Sequence, residues 1–182
     1  MARALRGTVG FALADVSVRI RDTQPGVIEV KGPNVFAGYW RNPEKTAESF
    51  TGDGYFITGD VGTMDEEGRV SIVGRVKDII ISGGLNVYPK EVEDALDAIP
   101  GIVDSAVIGA PHPDLGEAVL AVVTVSGAAA SENEVIADVA KRLARFKVPQ
   151  RIFIVGELPR NAMGKVQKSE LRRRYEAVFS RS

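Results

Sequence analysis

A chain of 182 residues, 45% hydrophobic and 26% charged, has room for one large or two small folded domains, and its composition excludes a disordered polypeptide. The formal net charge of −1 leaves no global basic field for nucleic acid or anionic lipid, and the lack of cysteine excludes disulfides and thiolate metal centres. A single histidine cannot build a histidine metal site, no apolar run approaches membrane-spanning length, and the opening MARALRG has no apolar signal stretch, so the expected compartment is cytoplasmic.

In chain order, VSVRIRD (16–22) and GVIEVKG (26–32) alternate apolar and charged residues and read as half-buried strands, with Pro25-Gly26 marking the turn between them. RNPEKTAESF (41–50) reads as a short helix capped by Asn42, with Pro43 at its first position. DEEGRVSIVG (65–74) reads as a hairpin around Glu67-Gly68. The chain then changes character near GRVKD (74–78). PKEVEDALDAI (89–99) predicts a helix with Val92, Leu96 and Ile99 on one face. VDSAVIGA (103–110) and AVLAVVTV (118–125) are apolar runs without alternation, the pattern of strands covered on both faces. SENEVIADVAKRLARF (131–146) predicts a helix opened by a Ser131–Glu134 capping box and burying Val135, Val139 and Leu143. RIFIVGELP (151–159) reads as a strand, and KSELRRRYEAVF (168–179) as a helix with Leu171, Tyr175 and Val178 inward. Burying these stripes calls for helices on a small sheet, an α+β arrangement.

Three stretches can carry chemistry. In YFITGDVG (55–62), Asp60 at a strand end offers an acceptor-only carboxylate to a vicinal diol such as a ribose, or else closes a Gly59-Asp60 turn on its own backbone. In GRVKDIIISGGLNVYPKEVED (74–94), the planar fork of Arg75 suits a phosphate or ribose edge, and Gly83-Gly84 admits close approach of a ligand; the plainer alternatives are a surface charge and a turn. In PRNAMGKVQK (159–168), Lys165 after Gly164 can meet developing negative charge, or can simply decorate a solvated loop. His112, between two prolines, reads as a loop residue.

Taken in order and spacing, YFITGD, GRVKDIIISGGLNVYPKEVE and PRNAMGKVQK resemble the acyl-adenylate-forming (AMP-binding) superfamily of acyl-CoA synthetases, peptide-synthetase adenylation domains and luciferases, and GPNVFAGYWRNPEKTAESF (32–50) fits as well. NVFAGYW, GGLNVYPKEVE and PRNAMGKVQK look most like malonyl-CoA synthetases. The resemblance implies a ligase that joins a carboxylic acid to the α-phosphate of Mg-ATP, releases pyrophosphate, and then lets coenzyme A displace AMP. It implies that Asp60 and Arg75 hold the ribose and that Lys165 contacts the carboxylate and α-phosphate. Lys77 would be a hinge, and Gly83-Gly84 would line the pantetheine tunnel. The implied fold is a small β-barrel-like subdomain, residues 1–76, followed by an α+β lid domain, residues 77–182.

Some family parts are not found in these residues. There is no Ser/Thr/Gly-rich phosphate loop ending in Pro-Lys, and no Tyr-Gly-x-Thr-Glu stretch, whose glutamate normally holds magnesium. The expectation is therefore the C-terminal portion of an acyl-CoA synthetase, inactive alone, with its Mg site and acid pocket in a part before Met1. The alternatives are a non-catalytic binding or regulatory module, serving a protein lysine acetyltransferase at Lys165, and a piece of a peptide-synthetase adenylation domain. The second is disfavoured because no carrier-domain Gly-Ser attachment site follows residue 168.

Overall fold

The structure, a computed structural model, describes residues 7–127 and 131–180; the opening segment in which no signal was read lies outside them apart from Gly7. Two compact units divide between Lys77 and Asp78. Among the described residues, no helix is long and apolar enough to cross a membrane.

In the first unit, β1 (Ser17–Ile20), β2 (Gly26–Lys31), β3 (Phe56–Met64) and β4 (Val70–Arg75) form an antiparallel sheet in the order β1-β2-β3-β4. A bridge between Gly10 and Val70 adds the N-terminal segment along β4. The alternation read in the sequence follows the pleat: Ile28 is buried on one face of β2, while Glu29 points to the other. Glu29 is itself fully buried, which a carboxylate tolerates only when paired. Its partners are Arg19, at 2.6 Å, and Arg21. Arg19 also bonds Asp53, and this hydrogen bond, ahead of one from Thr51, holds the Asp53 carboxyl well below the usual carboxylate range. Helix α1 (Pro43–Ser49) starts as expected, with the Asn42 side chain accepting from the Lys45 amide at 3.0 Å. The β3–β4 hairpin turns through Asp65, whose backbone carbonyl accepts from Gly68.

The second unit is the α+β layer. Its sheet runs β6-β5-β8-β7, where β5 is Ile80–Ser82, β6 Leu85–Val87, β7 Ile102–His112 and β8 Gly116–Val125. β9 (Arg151–Ile154) pairs parallel to β8, reached by a crossover through α3 (Glu132–Ala140). The apolar runs of β7 and β8 are covered on both faces. Val107, Val119, Ala121 and Val123 pack against Val92 and Leu96 of α2 (Pro89–Asp97) and Val135 and Val139 of α3. Their neighbours Ala106, Ile108, Leu120 and Val122 pack against Leu158 and, from α4 (Lys168–Arg174), Leu171, with Tyr175 just past the helix. Burying one such aliphatic side chain stabilises by about 1.5–3 kcal/mol, so this double-sided hairpin is the centre of the unit.

Several elements are shorter than the periodicity predicts. α3 ends at Ala140 rather than Phe146, because the chain must turn back to lay Arg151 beside Leu120; Pro149 also keeps Val148 extended. Leu143 still reaches the core from the turn that follows. The strand read over 151–159 ends at Ile154, although the Val155 amide still bonds Val123. α4 stops at Arg174, its last turn carrying three arginines that complement the carbonyl end of the helix, yet Val178 and Phe179 still pack inward. His112 is not in a loop: it closes β7 opposite Gly116, since the turn itself needs only residues 113–115.

Candidate functional site

Asp60 is not at a strand end. It lies within β3, where a bulge sets Thr58, Gly59 and Asp60 against Ile28 alone. Gly59 adopts φ +74°, which the bulge requires and a β-carbon would oppose. Thr58 locks the bulge by donating to the Ile28 carbonyl at 2.8 Å and accepting from the Asp60 amide at 3.0 Å. A second irregularity, in β4, leaves Val73 without a register partner. Asp60, at the end of the β3 bulge, pairs across the hairpin with Arg75, two residues past the β4 irregularity, and Arg75 Nε lies 2.6 Å from the Asp60 carboxylate in an ion pair. The turn reading of Asp60 thus gives way to a cross-strand ion pair. Its carboxylate is 22% exposed and its guanidinium 54%, so oxygen and nitrogen edges remain for a ligand. An ionised carboxylate with free lone pairs accepts hydroxyl donors, and a guanidinium with free N–H groups donates to them.

Lys77 is exposed in a 3-10 turn over Val76–Asp78, the boundary of the two units. Its neighbour Asp78 is bonded at 2.9 Å to Arg172 of α4, so the chain is anchored one residue beyond the lysine.

Gly83 and Gly84 form the two-residue turn of the β5–β6 hairpin, with φ +57° and +79°. Positive φ at both central positions is what a tight hairpin with the native strand twist requires. Ser82 pairs with Gly116, and the Gly83 amide bonds the Leu115 carbonyl at 2.9 Å, which fixes this turn at the start of β8. Beside it lies a cleft of about 650 Å³ lined by Gly83, Leu115, Arg145, Phe146 and Gln150, among others. Sequence reasoning missed Arg145 and Phe146, because they were placed inside a helix; the only available signal was Pro149 shortly after them.

Lys165 sits in a tight hairpin. Asn161 and Lys165 pair by backbone at 2.9 Å, the Gly164 amide bonds the Asn161 carbonyl at 2.8 Å, and Gly164 takes φ +77°. Neighbouring cations are consumed by carboxylates: Arg160 by Asp104, Lys168 by Glu93 at 2.6 Å, Arg172 by Asp78. The exposed Lys165 ammonium has no ion pair among the described residues.

Within the second unit the two loops are far apart. The Lys165 hairpin is tied through Arg160 to Asp104, near the start of β7, whereas the glycine turn adjoins Gly116, which pairs with His112 at the end of β7. Eight residues of strand separate these anchors, roughly 26 Å at the ordinary rise. Among the described residues no group of three or more His, Cys, Asp or Glu is placed to hold a metal ion, so nothing in this chain's geometry is assigned to magnesium.

Comparison with known proteins shows what this chain is similar to. Residues 91–165 match the AMP-binding enzyme C-terminal domain. A 3-[(3aS,4S,7aS)-7a-methyl-1,5-dioxo-octahydro-1H-inden-4-yl]propanoyl:CoA ligase of Rhodococcus jostii is 49% identical over 166 residues, 91% of this chain and 32% of that protein. Long-chain-fatty-acid–CoA ligase FadD13 of Mycobacterium tuberculosis is 39% identical over 94% of this chain and 35% of its own length. The chain thus spans about a third of the length of the curated relatives it matches. Among solved structures, ATP-bound MatB from Rhodopseudomonas palustris superposes with a TM-score of 0.90 at 52% identity, covering 96% of this chain and 37% of that one. The o-succinylbenzoate CoA synthetase MenE of Bacillus subtilis, in complex with its acyl-adenylate intermediate, superposes with a TM-score of 0.85 at 34% identity, covering 91% and 35%.

Proposed function

The chain belongs to the AMP-binding, acyl-adenylate-forming enzymes, and from that premise we propose that it supplies the ribose-holding pair and the mobile lysine of an ATP-dependent acyl-CoA synthetase. In this reading Asp60 accepts hydrogen bonds from the ribose hydroxyls of ATP, and Arg75 orients the carboxylate and contacts the same ribose. Lys165 brings an ammonium to the carboxylate oxygen that attacks the α-phosphate and to the charge that grows there, lowering the barrier to the acyl-adenylate. Pyrophosphate leaves. The Gly83-Gly84 turn then lets the pantetheine arm of coenzyme A pass close to the backbone, and the thiol displaces AMP.

One observation carries the proposal: the lysine hairpin and the glycine turn are anchored at opposite ends of the same β-hairpin, at positions of β7 roughly 26 Å apart. One active centre cannot use both at once. A unit that rotates about Lys77 can present one end for adenylation and the other for thioester formation, a domain movement absorbed by a few backbone torsions. The finer reading is a malonyl-CoA synthetase. The 52% identity to MatB supports it, along with the motifs NVFAGYW, GGLNVYPKEVE and PRNAMGKVQK. By itself the 182-residue polypeptide makes no acyl-adenylate, since it carries no phosphate-loop sequence. The exposed ammonium of Lys165 is also within reach of a protein lysine acetyltransferase, which would cancel its charge.

The test is a chimera in which residues 7–180 replace the matching third of MatB from Rhodopseudomonas palustris. Malonate-dependent ATP–pyrophosphate exchange is expected in the chimera and absent from the isolated chain. Lys165→Ala should lower exchange about 100- to 1,000-fold while thioester formation from preformed acyl-adenylate continues. Full exchange by the Lys165→Ala chimera would refute the assignment, and exchange by the isolated chain would refute its predicted inactivity.

A further inference from the structure

The hairpin around Lys165 is held by two side chains that no comparison assigns. Asn161 Oδ1 accepts from the amides of both Met163, at 3.0 Å, and Lys165, at 2.9 Å. Arg160 donates to the Gly164 carbonyl from one nitrogen and to the Asp104 carboxylate from another. The Gln167 amide closes the base on the Pro159 carbonyl at 2.8 Å. Behind it, Lys168 pairs with Glu93, a carboxylate only 13% exposed that also accepts from the Val107 amide. Leu158 and Val166 anchor the base of the hairpin in the core, but its surface is exposed from Arg160 to Lys165, so polar bonds order the loop itself.

We propose that Asn161 and Arg160 are positioning residues for Lys165, fixing where its ammonium is delivered. Asn161 sets the backbone of Lys165 itself. Arg160 ties the loop to β7, so the hairpin moves with the sheet and not apart from it. A cation aimed at growing charge is effective only when its position is settled before the reaction, because reorganisation at that moment cancels the gain. An unbraced lysine loop would carry the same charge and arrive with a spread of positions. The inference rests on the catalytic reading of Lys165, and its test separates the two.

In the 15N-labelled 182-residue chain, the Met163 and Lys165 amides are expected to exchange slowly. Asn161→Ala should cut the protection of each about tenfold, the loss of one hydrogen bond, while the β7–β8 amides of Val107 and Ala121 keep theirs. Asn161→Asp retains an accepting oxygen and should recover most of the protection. Equal protection of the Lys165 amide in the wild type and Asn161→Ala overturns the proposal. In the MatB chimera, Asn161→Ala and Arg160→Met should lower kcat for adenylation about tenfold, leaving KM for ATP and the thioester step unchanged, with partial rescue by Asn161→Asp. If Lys165→Ala abolishes adenylation but Asn161→Ala loses amide protection without losing rate, the positioning role falls alone. If Lys165→Ala is fully active, the catalytic reading falls and takes the positioning role with it.

Discussion

Replacing Gly83 separates a backbone requirement from a packing requirement. Its φ is +57°, and the nearest atom a β-carbon would meet is Leu115 Cδ2, at 3.5 Å, an ordinary contact. Alanine therefore meets no clash, and its cost is conformational, about 1–2 kcal/mol for an L-residue held in the left-handed region. For a unit of about 100 residues, that lowers Tm by between roughly 4 and 15 °C. Asparagine tolerates the left-handed region because its short amide bonds locally, and Asn-Gly is a preferred pair for this hairpin turn, so Gly83→Asn should stay within about 0.5 kcal/mol of wild type. The assay is thermal unfolding of the wild type, Gly83→Ala and Gly83→Asn followed by far-UV circular dichroism. Equal losses for Ala and Asn would refute the reasoning, since the cost would then come from space and not from φ; a neutral Gly83→Ala would show that the turn is not left-handed there. Gly83→Asn, if it folds as well as wild type, also gives a clean probe of function: a thioester step slowed in this variant alone would report the close approach of the ligand to the turn.

Three further outcomes are expected. Leu120→Ala empties a fully buried position between Ile108 and Leu171 and should cost about 2–5 kcal/mol by denaturant unfolding, whereas Leu120→Met should cost under about 1.5 kcal/mol. Glu132 accepts from the Ile152 amide and, less strongly, from Arg151, which together hold its carboxyl below the ordinary value of 4.5. A depressed folded pKa contributes stability that is present above pH 4.5 and lost as pH falls through the folded value; Glu132→Gln should therefore destabilise at pH 7 and converge with wild type in acid, as read by melting temperature against pH. Asp60→Asn breaks a half-exposed pair and should change stability by less than about 1 kcal/mol, while sharply weakening adenylation in the MatB chimera; a large fall in Tm would mean that the pair is structural.

Local features were legible in the order of residues because local forces decide them. Asn42 and Ser131 cap helices wherever their amides lie within three residues. The unalternating runs of β7 and β8 announced strands covered on both faces, since apolar side chains at consecutive positions must each find cover. The motif order alone carried the family. Helix ends were less legible. α3 stops six residues early because of where β9 must lie, a demand from outside the helix.

What tertiary structure decided was meeting and separation. Asp60 and Arg75 are fifteen positions apart along the chain, and they face each other because the irregularity at Val73 shifts the β3–β4 register by one residue. Lys165 and Lys168 are the same residue type three positions apart, yet among the described residues one has no ion pair and the other is spent on Glu93, a partner that α2 brings from far back in the sequence. The separation of the lysine hairpin from the glycine turn follows from which end of β7 each loop docks against. Strand pairing is a non-local choice, made by the whole sheet when it closes its hydrogen bonds and buries its two faces, and a linear pattern carries no record of it.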